Sequence, residues 1–562
     1  MITPFLGRQR KVRFRTYDLE WYPGTLTLRL VGEHDGSRYT SYKTIRAFLQ
    51  SALRPVNSGL VWFAHAGGLA DVQFILEEIA QDARYSVQCI MSGSSAIMVR
   101  ITDDHSSWTF ADSYWLLRSP LKQIGASIGI PKLSDYRCPH PCQHEEGHCV
   151  FYAPPAILET YNEQDCLILW TALDRFQDTI MRMGGAMKRT LAATAMHLFR
   201  SRYLHREIPT LDGINSDSRL AYVASRVEVF RPSCERANYY DVNSSFPASM
   251  TLDQPGRMFD VTTRIPDSGL FLAHCQVTVP EVYIPPLPYR AKGGRIYFPT
   301  GSWDAWLMAS DVEYLLSKGG KIGRVEKVLR FQPFADLRDY ALVLYELKAN
   351  AKDPFERMIW KLLLNSLYGK FAERAEKERI LINPPSTEGL ELISPGIFRE
   401  QETADLAHVH VPIAANITSL SRTLLGRYLD QAHDLGEVYY ADTDSVVTNA
   451  TLSVSDELGL LKLEKEVTSG RFLAPKLYAI VGGGGKVTVR AKGFRRMGMA
   501  DFQTLEKGGT IEVTRMVRVK ENANYGDLKP REKIVPKRYI GARPKRSPDG
   551  ADTRPWKKEE IE

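Results

Sequence analysis

Tyr439-Tyr440-Ala441-Asp442-Thr443-Asp444-Ser445, with Val438 before it and Val446, Val447 and Thr448 after it, decides the reading of this chain. The flanks are β-branched and aromatic residues that favour strands, so the Asp-Thr-Asp core falls at a turn between them. Strand side chains alternate between faces, which puts Asp442 and Asp444 on one face unless the turn rotates one away. Two anionic groups held close together repel, and a bound divalent cation commonly offsets that repulsion. The competing reading is an Asx-rich surface turn.

Two further segments bear on the choice. Asp241-Val242-Asn243-Ser244-Ser245-Phe246-Pro247 follows the strand-like Ala237-Asn238-Tyr239-Tyr240 and sets another carboxylate at a strand end. Around Lys361-Leu362-Leu363-Leu364-Asn365-Ser366-Leu367-Tyr368-Gly369 the pattern is helical, and Arg357, Lys361, Asn365 and Tyr368 recur at spacings that line one helix face. Cations, an amide and an aromatic ring on one face suit a nucleoside triphosphate. A solvated basic stripe is the alternative.

The N-terminal third holds a second acidic set. In Tyr17-Asp18-Leu19-Glu20 the alternation of a strand points both carboxylates the same way. Asp71, at the end of His65-Ala66-Gly67-Gly68-Leu69-Ala70-Asp71, and Asp165, in Tyr161-Asn162-Glu163-Gln164-Asp165, complete a candidate four-acid cluster. Helical spacing places the Tyr161 ring beside the Asp165 carboxylate. Taken alone, an Asp-x-Glu pair is common on ordinary surfaces.

In this order and with these residues, the segments at Asp241, Lys361 and Asp442 to Asp444 resemble motifs A, B and C of family B DNA polymerases. The N-terminal segments resemble the same family's three exonuclease motifs, and the resemblance runs from Tyr17 to about Gly493. It implies an α/β multidomain chain: a ribonuclease H-like 3′→5′ exonuclease over 1–190, then a right-hand polymerase over 191–562. By the same resemblance, Asp241 and Asp444 hold two Mg²⁺ (or Mn²⁺) ions for the attack of a primer 3′-hydroxyl on an α-phosphate, with Asp442 a weaker ligand. Lys361 is the implied triphosphate-binding lysine, with Arg357, Asn365, Tyr368 and Ser244 around the nucleotide. Phe246 stands where the family usually has Tyr and is the implied steric gate against a 2′-hydroxyl. Ser245 replaces a usual Leu, and nothing in the sequence explains it. Lys476-Leu477-Tyr478 resembles the Lys-x-Tyr element that holds the primer end, and Lys492-Gly493 falls where a further DNA contact is expected. Asp18, Glu20, Asp71 and Asp165 would hold the exonuclease's two ions, with Tyr161 orienting the water or the scissile phosphate. His65 opens the second exonuclease motif. Relatives commonly carry Asn and Phe at the positions of Ala66 and Ala70, so weaker grip on a frayed primer end is expected.

A length of 562 residues is compact for these activities and resembles the polymerases of small linear phage genomes and linear plasmids, which prime from a terminal protein. Tyr222-Val223-Ala224-Ser225 sits where that branch has a Tyr-x-Gly-Gly-like element. The implied divisions are palm (191–250 and 411–500), first insertion (251–340), fingers (341–375), second insertion (376–410), and thumb with basic tail (501–562). Ile284-Pro285-Pro286-Leu287-Pro288 marks the first insertion; Pro384-Pro385 and Pro395-Gly396 mark the second, a hairpin expected to close over the template and favour processive strand displacement. Ordinary surface loops are the alternative. The implied partners are template-primer DNA, dNTPs and a terminal protein, for a monomer in the cytoplasm of the host cell. Two other functions stay open: priming from an ordinary nucleic acid, and a DNA-binding replication scaffold with decayed sites. Intact Asp241, Asp444 and Lys361 speak against decay.

Hydrophobic residues make up 44% of the chain, with no apolar run long enough to span a bilayer and no signal peptide, so no membrane partner is expected. The net charge is +7. From Lys529 to Glu562 there are 11 basic and 6 acidic residues. That end reads as a thumb and tail over DNA, or as a disordered solubilising end. Seven cysteines suit a reducing compartment. Cys138, Cys142 and Cys149 alternate with His140, His144 and His148. A structural Zn²⁺ site from Cys138, Cys142, His144 or His148, and Cys149 is one reading, and an unmetallated loop is the other.

Overall fold

The alternating strand Phe14–Trp21 sits inside a ten-stranded sheet rather than at its edge, which explains the burial of Tyr17, Leu19 and Glu20. The structure is a computed structural model. It describes residues 1–562 apart from 8, 134–135, 139–141, 143–148, 211, 405, 495–496, 540–543, 551 and 562. Phe14–Trp21 pairs in parallel with Val61–Ala64, which pairs in parallel with Ser107–Asp112, while the other pairings of this sheet are antiparallel. The long helix Pro155–Arg182 packs across it through Ile168, Leu169, Ala172, Leu173 and Phe176, none more than 2% exposed.

Three strands of this sheet come from far along the chain. Glu376–Ile382, Glu391–Ser394 and Ile397–Thr403 form an antiparallel set whose first strand pairs Arg379 to Ile382 with Val87 to Ile90. The strands within 376–403, between the Lys361 helix and the Asp442 hairpin, therefore extend the N-terminal sheet.

A second sheet of antiparallel strands carries the other acidic segments. Its order runs Val487–Ala491, Leu477–Gly482, Leu461–Ala474, Ala237–Val242, Ser445–Thr448, Val438–Asp442 and Val227–Val229, with Ser233–Cys234 beside Leu461–Ala474. Helix Val411–Leu435 covers one face, burying Leu425, Leu429 and Ala432 against Val438, Ala441 and Val446. The helices Asp336–Asn350 and Pro354–Leu364 pack on each other and share a core with Pro155–Arg182. Between the two acidic segments of this sheet, Gln254–Thr262, Leu270–Val279, Gly301–Met308 and Lys321–Phe334 form a separate four-stranded sheet.

The C-terminal end differs from a free basic tail. The hairpin Thr510–Met516 and Glu532–Arg538 encloses a short helix, Val519–Ala523, that docks on the N-terminal domain. There Gln73 Nε2 donates to Val517 O at 2.8 Å and the fully buried Asn522 donates its amide to Gln73 and to Lys529 O. Ser394 Oγ donates to Ala523 O at 3.2 Å, and Lys520 pairs with Glu378 at 2.7 Å, so the same helix also grips the added strands. Beyond it the chain folds back. Arg546 is buried between the rings of Phe230 and Tyr283, 4.5 Å from each, and Lys558 N donates to Thr300 O. Arg546 is thus spent on internal cation–π contacts, and Arg554 and Lys557 pair with Glu560 and Glu281. The expectation of a tail laid over DNA is corrected for Arg546.

Removing the Asn522 amide leaves Gln73 Oε1 buried without its partner, which costs about 1–3 kcal/mol. Asn522→Ala should lower the denaturation free energy by that amount and raise hydrogen exchange in 517–529 well before the rest of the chain. Unchanged exchange there would mean the docking does not depend on this amide.

Candidate active sites

Asp241 lies near the end of the central strand Ala237–Val242, flanked on one side by Ser445–Thr448 and on the other by Leu461–Ala474. Asp442 ends strand Val438–Asp442, and Thr443 and Asp444 make a two-residue turn into Ser445. The turn is tight: Asp444 N donates to Asp442 O at 2.7 Å, and Thr443 holds φ at +65°, a conformation costly for a β-branched residue. It is held from outside. Thr443 N donates to Arg226 O at 2.8 Å, Ser225 Oγ donates to Thr443 O at 2.6 Å, and Val242 N donates to Asp444 O at 2.8 Å. Ser225, the last residue of the Tyr222 element, thus clamps the acidic turn, and Arg422 anchors the same element through Val223 O at 2.9 Å.

The turn separates the two aspartates. Asp442 is held by the Lys476 ammonium, by Tyr440 OH at 3.3 Å and by Thr443 Oγ1 at 3.0 Å. Asp444 instead shares its charge with Asp241: burial and then Asp241 and Asp442 push its carboxyl up to about 7. Burial pushes Asp241 up to about 6, with Lys462 and Lys361 pulling against it. These are half-buried carboxylates short of countercharge, a donor set that fits a divalent cation.

Lys361 and Arg357 are exposed on helix Pro354–Leu364. Lys348, at the end of the adjoining helix, adds a cation that the sequence reading missed. It donates to Ser244 Oγ at 3.1 Å and is lowered to about 8 by burial and by Lys361, Lys462 and Arg357. This cluster of cations beside two acids suits a polyphosphate bound with metal. The single helical face needs correcting. The helix ends at Leu364, Asn365 is its C-cap and turns its amide back to Lys361 O, and Tyr368 starts a 3₁₀ turn. That break lets the Tyr368 ring stack on Phe246, centroids 4.5 Å apart and planes 21° off parallel. Tyr222 packs partly buried in the same core. Ser245 also gains a reason: its buried hydroxyl pairs with Ser421 Oγ at 2.7 Å, tying the Asp241 segment to the covering helix.

Of the residues expected at the primer, Lys476 takes positive φ and reaches Asp442, and Lys492 and Gly493 are exposed in the turn after Val487–Ala491. Tyr478 differs. Only 6% exposed, its ring packs against Tyr440 and Phe472.

In the N-terminal domain the structure brings together Asp18, Glu20 and Asp165, which offer carboxylate oxygens within 4.8 Å of one another. Asp165 Oδ1 is buried with no hydrogen-bond partner among the described residues. Asp71 sits behind them at the start of helix Asp71–Ile79 and accepts from Leu19 N at 3.3 Å. Burial drives all four carboxyls up, with neighbouring carboxylates adding to Asp18, Glu20 and Asp71: Glu20 to about 8 and Asp71 to about 7. Asn162 Nδ2 bridges Asp18 Oδ2 and Glu20 Oε1 at 3.3 and 3.5 Å. Lys132, not singled out from sequence, pairs with Asp165 and sits 4.4 Å above the Tyr161 ring. One ammonium among four acids leaves excess negative charge, which again fits divalent cations.

His65 spends its ring nitrogens on Ser113 Oγ and Ser119 O, at 2.9 and 2.8 Å, and so holds the loop before Asp71. Ala66 has φ +62°, a value that Asn adopts more readily than Ala. At Gly68 a Cβ would fall 2.0 Å from Ala96 O, so only glycine fits.

The family model described as DNA polymerase type B, organellar and viral, matches residues 156–422. Over that stretch, just under half of the chain, the sequence is similar to this family. Among its relatives are a probable DNA polymerase of Podospora anserina, 25% identical over 467 residues, and the DNA-directed DNA polymerase of Enterobacteria phage PRD1, 27% identical over 462. The first match covers 68% of this chain and 39% of the Podospora protein; the second covers 77% and 75%. The chain therefore spans well under half of the fungal relative. Its fold is that of Phi29 DNA polymerase complexed with primer-template DNA and incoming nucleotide, with a TM-score of 0.74 at 18% identity over 93% of this chain and 99% of that one.

Carboxyls raised in the folded state lose stabilising protonation as pH climbs from their unfolded values near 4 through about 6 to 8. Metal-free protein should therefore lose stability across that window, and Mg²⁺ should restore it at pH 8. Asp444→Asn should melt higher than wild type at pH 8 without metal and no higher at pH 4.5. Equal melting temperatures at pH 8 would mean that Asp444 is not strained.

Proposed function

We propose that the chain is a DNA-dependent DNA polymerase that extends a 3′-hydroxyl by two-metal nucleotidyl transfer, edits with a 3′→5′ exonuclease, and starts from a terminal protein. The observation that carries this reading is the meeting of the Asp241 and Asp444 carboxylates with Lys348, Lys361 and Lys462 in this fold. Asp241 and Asp444 would hold the ions at the polymerase site, and Asp18, Glu20 and Asp165, backed by Asp71, those at the exonuclease site. Mg²⁺ or Mn²⁺ bound there supplies charge neutralisation at the phosphate and a lowered pKa at the attacking oxygen.

The protein groups do the rest. Lys361, Arg357 and Lys348 bind the triphosphate and stabilise charge on the departing pyrophosphate. Phe246, braced by Tyr368, packs under the sugar and leaves no room for a 2′-hydroxyl. Lys476 sets Asp442 and, with Lys492 and Gly493, follows the primer strand. In the exonuclease, Tyr161 and Asn162 orient the water and the scissile phosphate, while Lys132 holds Asp165 in place. Terminal-protein priming rests on the compact-branch resemblance, on the clamp made by the Tyr222 element and on the four-stranded sheet between Asp241 and Lys361. The added strands at 376–403 support a closed path around DNA for a monomer working without a clamp.

Loss of a metal-holding carboxylate removes several kcal/mol of transition-state stabilisation, so Asp444→Asn should cut primer extension at least about a hundredfold. The same variant should still degrade single-stranded DNA, whereas Asp165→Asn should do the reverse. With terminal protein in place of primer, a covalent nucleotide adduct is expected. Extension of ordinary primers with no adduct would favour nucleic-acid priming, and no extension under any metal condition would favour the scaffold.

A further inference from the structure

Between helix Leu121–Ile128 and the 3₁₀ turn Cys149–Tyr152 no described residue is helical or in a strand, yet the segment is pinned at both ends. Lys132 reaches Asp165 on one side. On the other, the Arg29 guanidinium donates to Phe151 O and Ala153 O at 2.7 and 2.8 Å. Leu133 and Tyr136 of the segment line an apolar pocket with Val150, Ile157 and Tyr161. The described residues of the segment are thus tied at its two ends, and a staple between them would complete the closure.

The staple is visible in the side chains. Cys138, Cys142 and Cys149 converge so that their sulfurs all lie within 4.8 Å of one another, with Cys142 and Cys149 at 3.5 Å. Sulfurs bound tetrahedrally at about 2.3 Å from one zinc ion lie about 3.8 Å apart, whereas a disulfide needs about 2.05 Å and uses two sulfurs, not three.

We propose that Cys138, Cys142 and Cys149 bind one Zn²⁺ as thiolates. The site is structural. Shells dominated by Cys thiolates are those of structural zinc sites. It would tie the segment that carries Lys132 to the 3₁₀ turn that leads into the helix of Tyr161 and Asp165. Binding releases the thiol protons, so the site should weaken as pH falls.

The direct test is zinc content of the full chain, purified under reducing conditions from zinc-supplemented cells and desalted. One zinc per chain is expected, falling to near zero in the triple Cys138→Ser, Cys142→Ser, Cys149→Ser variant. Cobalt substituted into the wild-type chain gives a readout that does not depend on any variant folding: a thiolate-to-cobalt charge-transfer band should appear and saturate at one equivalent. Zinc unchanged in the triple variant would overturn the proposal. So would wild-type protein with neither zinc nor the cobalt band, or a mass deficit showing a disulfide among these cysteines in the chain as purified.

Discussion

Repulsion between buried carboxylates is the constraint around which this molecule is arranged. Folding presses Asp18, Glu20 and Asp165 together in one domain and Asp241 and Asp444 together in the other, and burial drives each group toward its protonated form. Such sites persist only when the surrounding structure overdetermines them. Here the surroundings are rigid: central strands of two sheets supply Asp18, Glu20 and Asp241, a long packed helix supplies Asp165, and hydrogen bonds from Ser225 and to Arg226 brace the strained turn at Thr443. The energy stored in crowding the acids is what a divalent cation releases on binding.

The same rigidity joins the two sites. Strands from 376–403 continue the N-terminal sheet, the helix Val519–Ala523 bolts that extension to Gln73, and the last residues return to cover the second sheet at Phe230. The first two of these contacts tie residues of the N-terminal domain to residues several hundred positions later. A substitution at Asn522 or Gln73 would therefore be felt in how the two domains are held.

What was legible in the sequence was local. The Asp442 hairpin followed from strand-forming flanks, the shared face of Asp18 and Glu20 from simple alternation, and the fold class from the resemblance of the motifs to a known family. The mixed sheet-and-helix architecture agrees with that of Phi29 DNA polymerase. What stayed hidden depends on contacts between distant segments. Lys132 is a lysine in an irregular stretch until the fold sets it on Asp165, and Lys348 is a helix-end cation until it meets Ser244. Ser245 looked arbitrary because its partner, Ser421, is 176 residues away. The helical stripe was drawn too long because the periodicity of Lys361 and Asn365 continues to Tyr368, while stacking on Phe246 favours a 3₁₀ turn there. The tail misled for a related reason: its charge count is correct, but Arg546 is turned inward between aromatic rings.

The central claim is that both carboxylate clusters are built to be relieved by divalent cations. It is tested most directly by anomalous scattering from crystals of the chain soaked in Mn²⁺ at pH 8. The account predicts manganese between Asp241 and Asp444 and also among Asp18, Glu20 and Asp165. Crystals that diffract well, hold manganese elsewhere or nowhere, and leave both clusters with only water would contradict it.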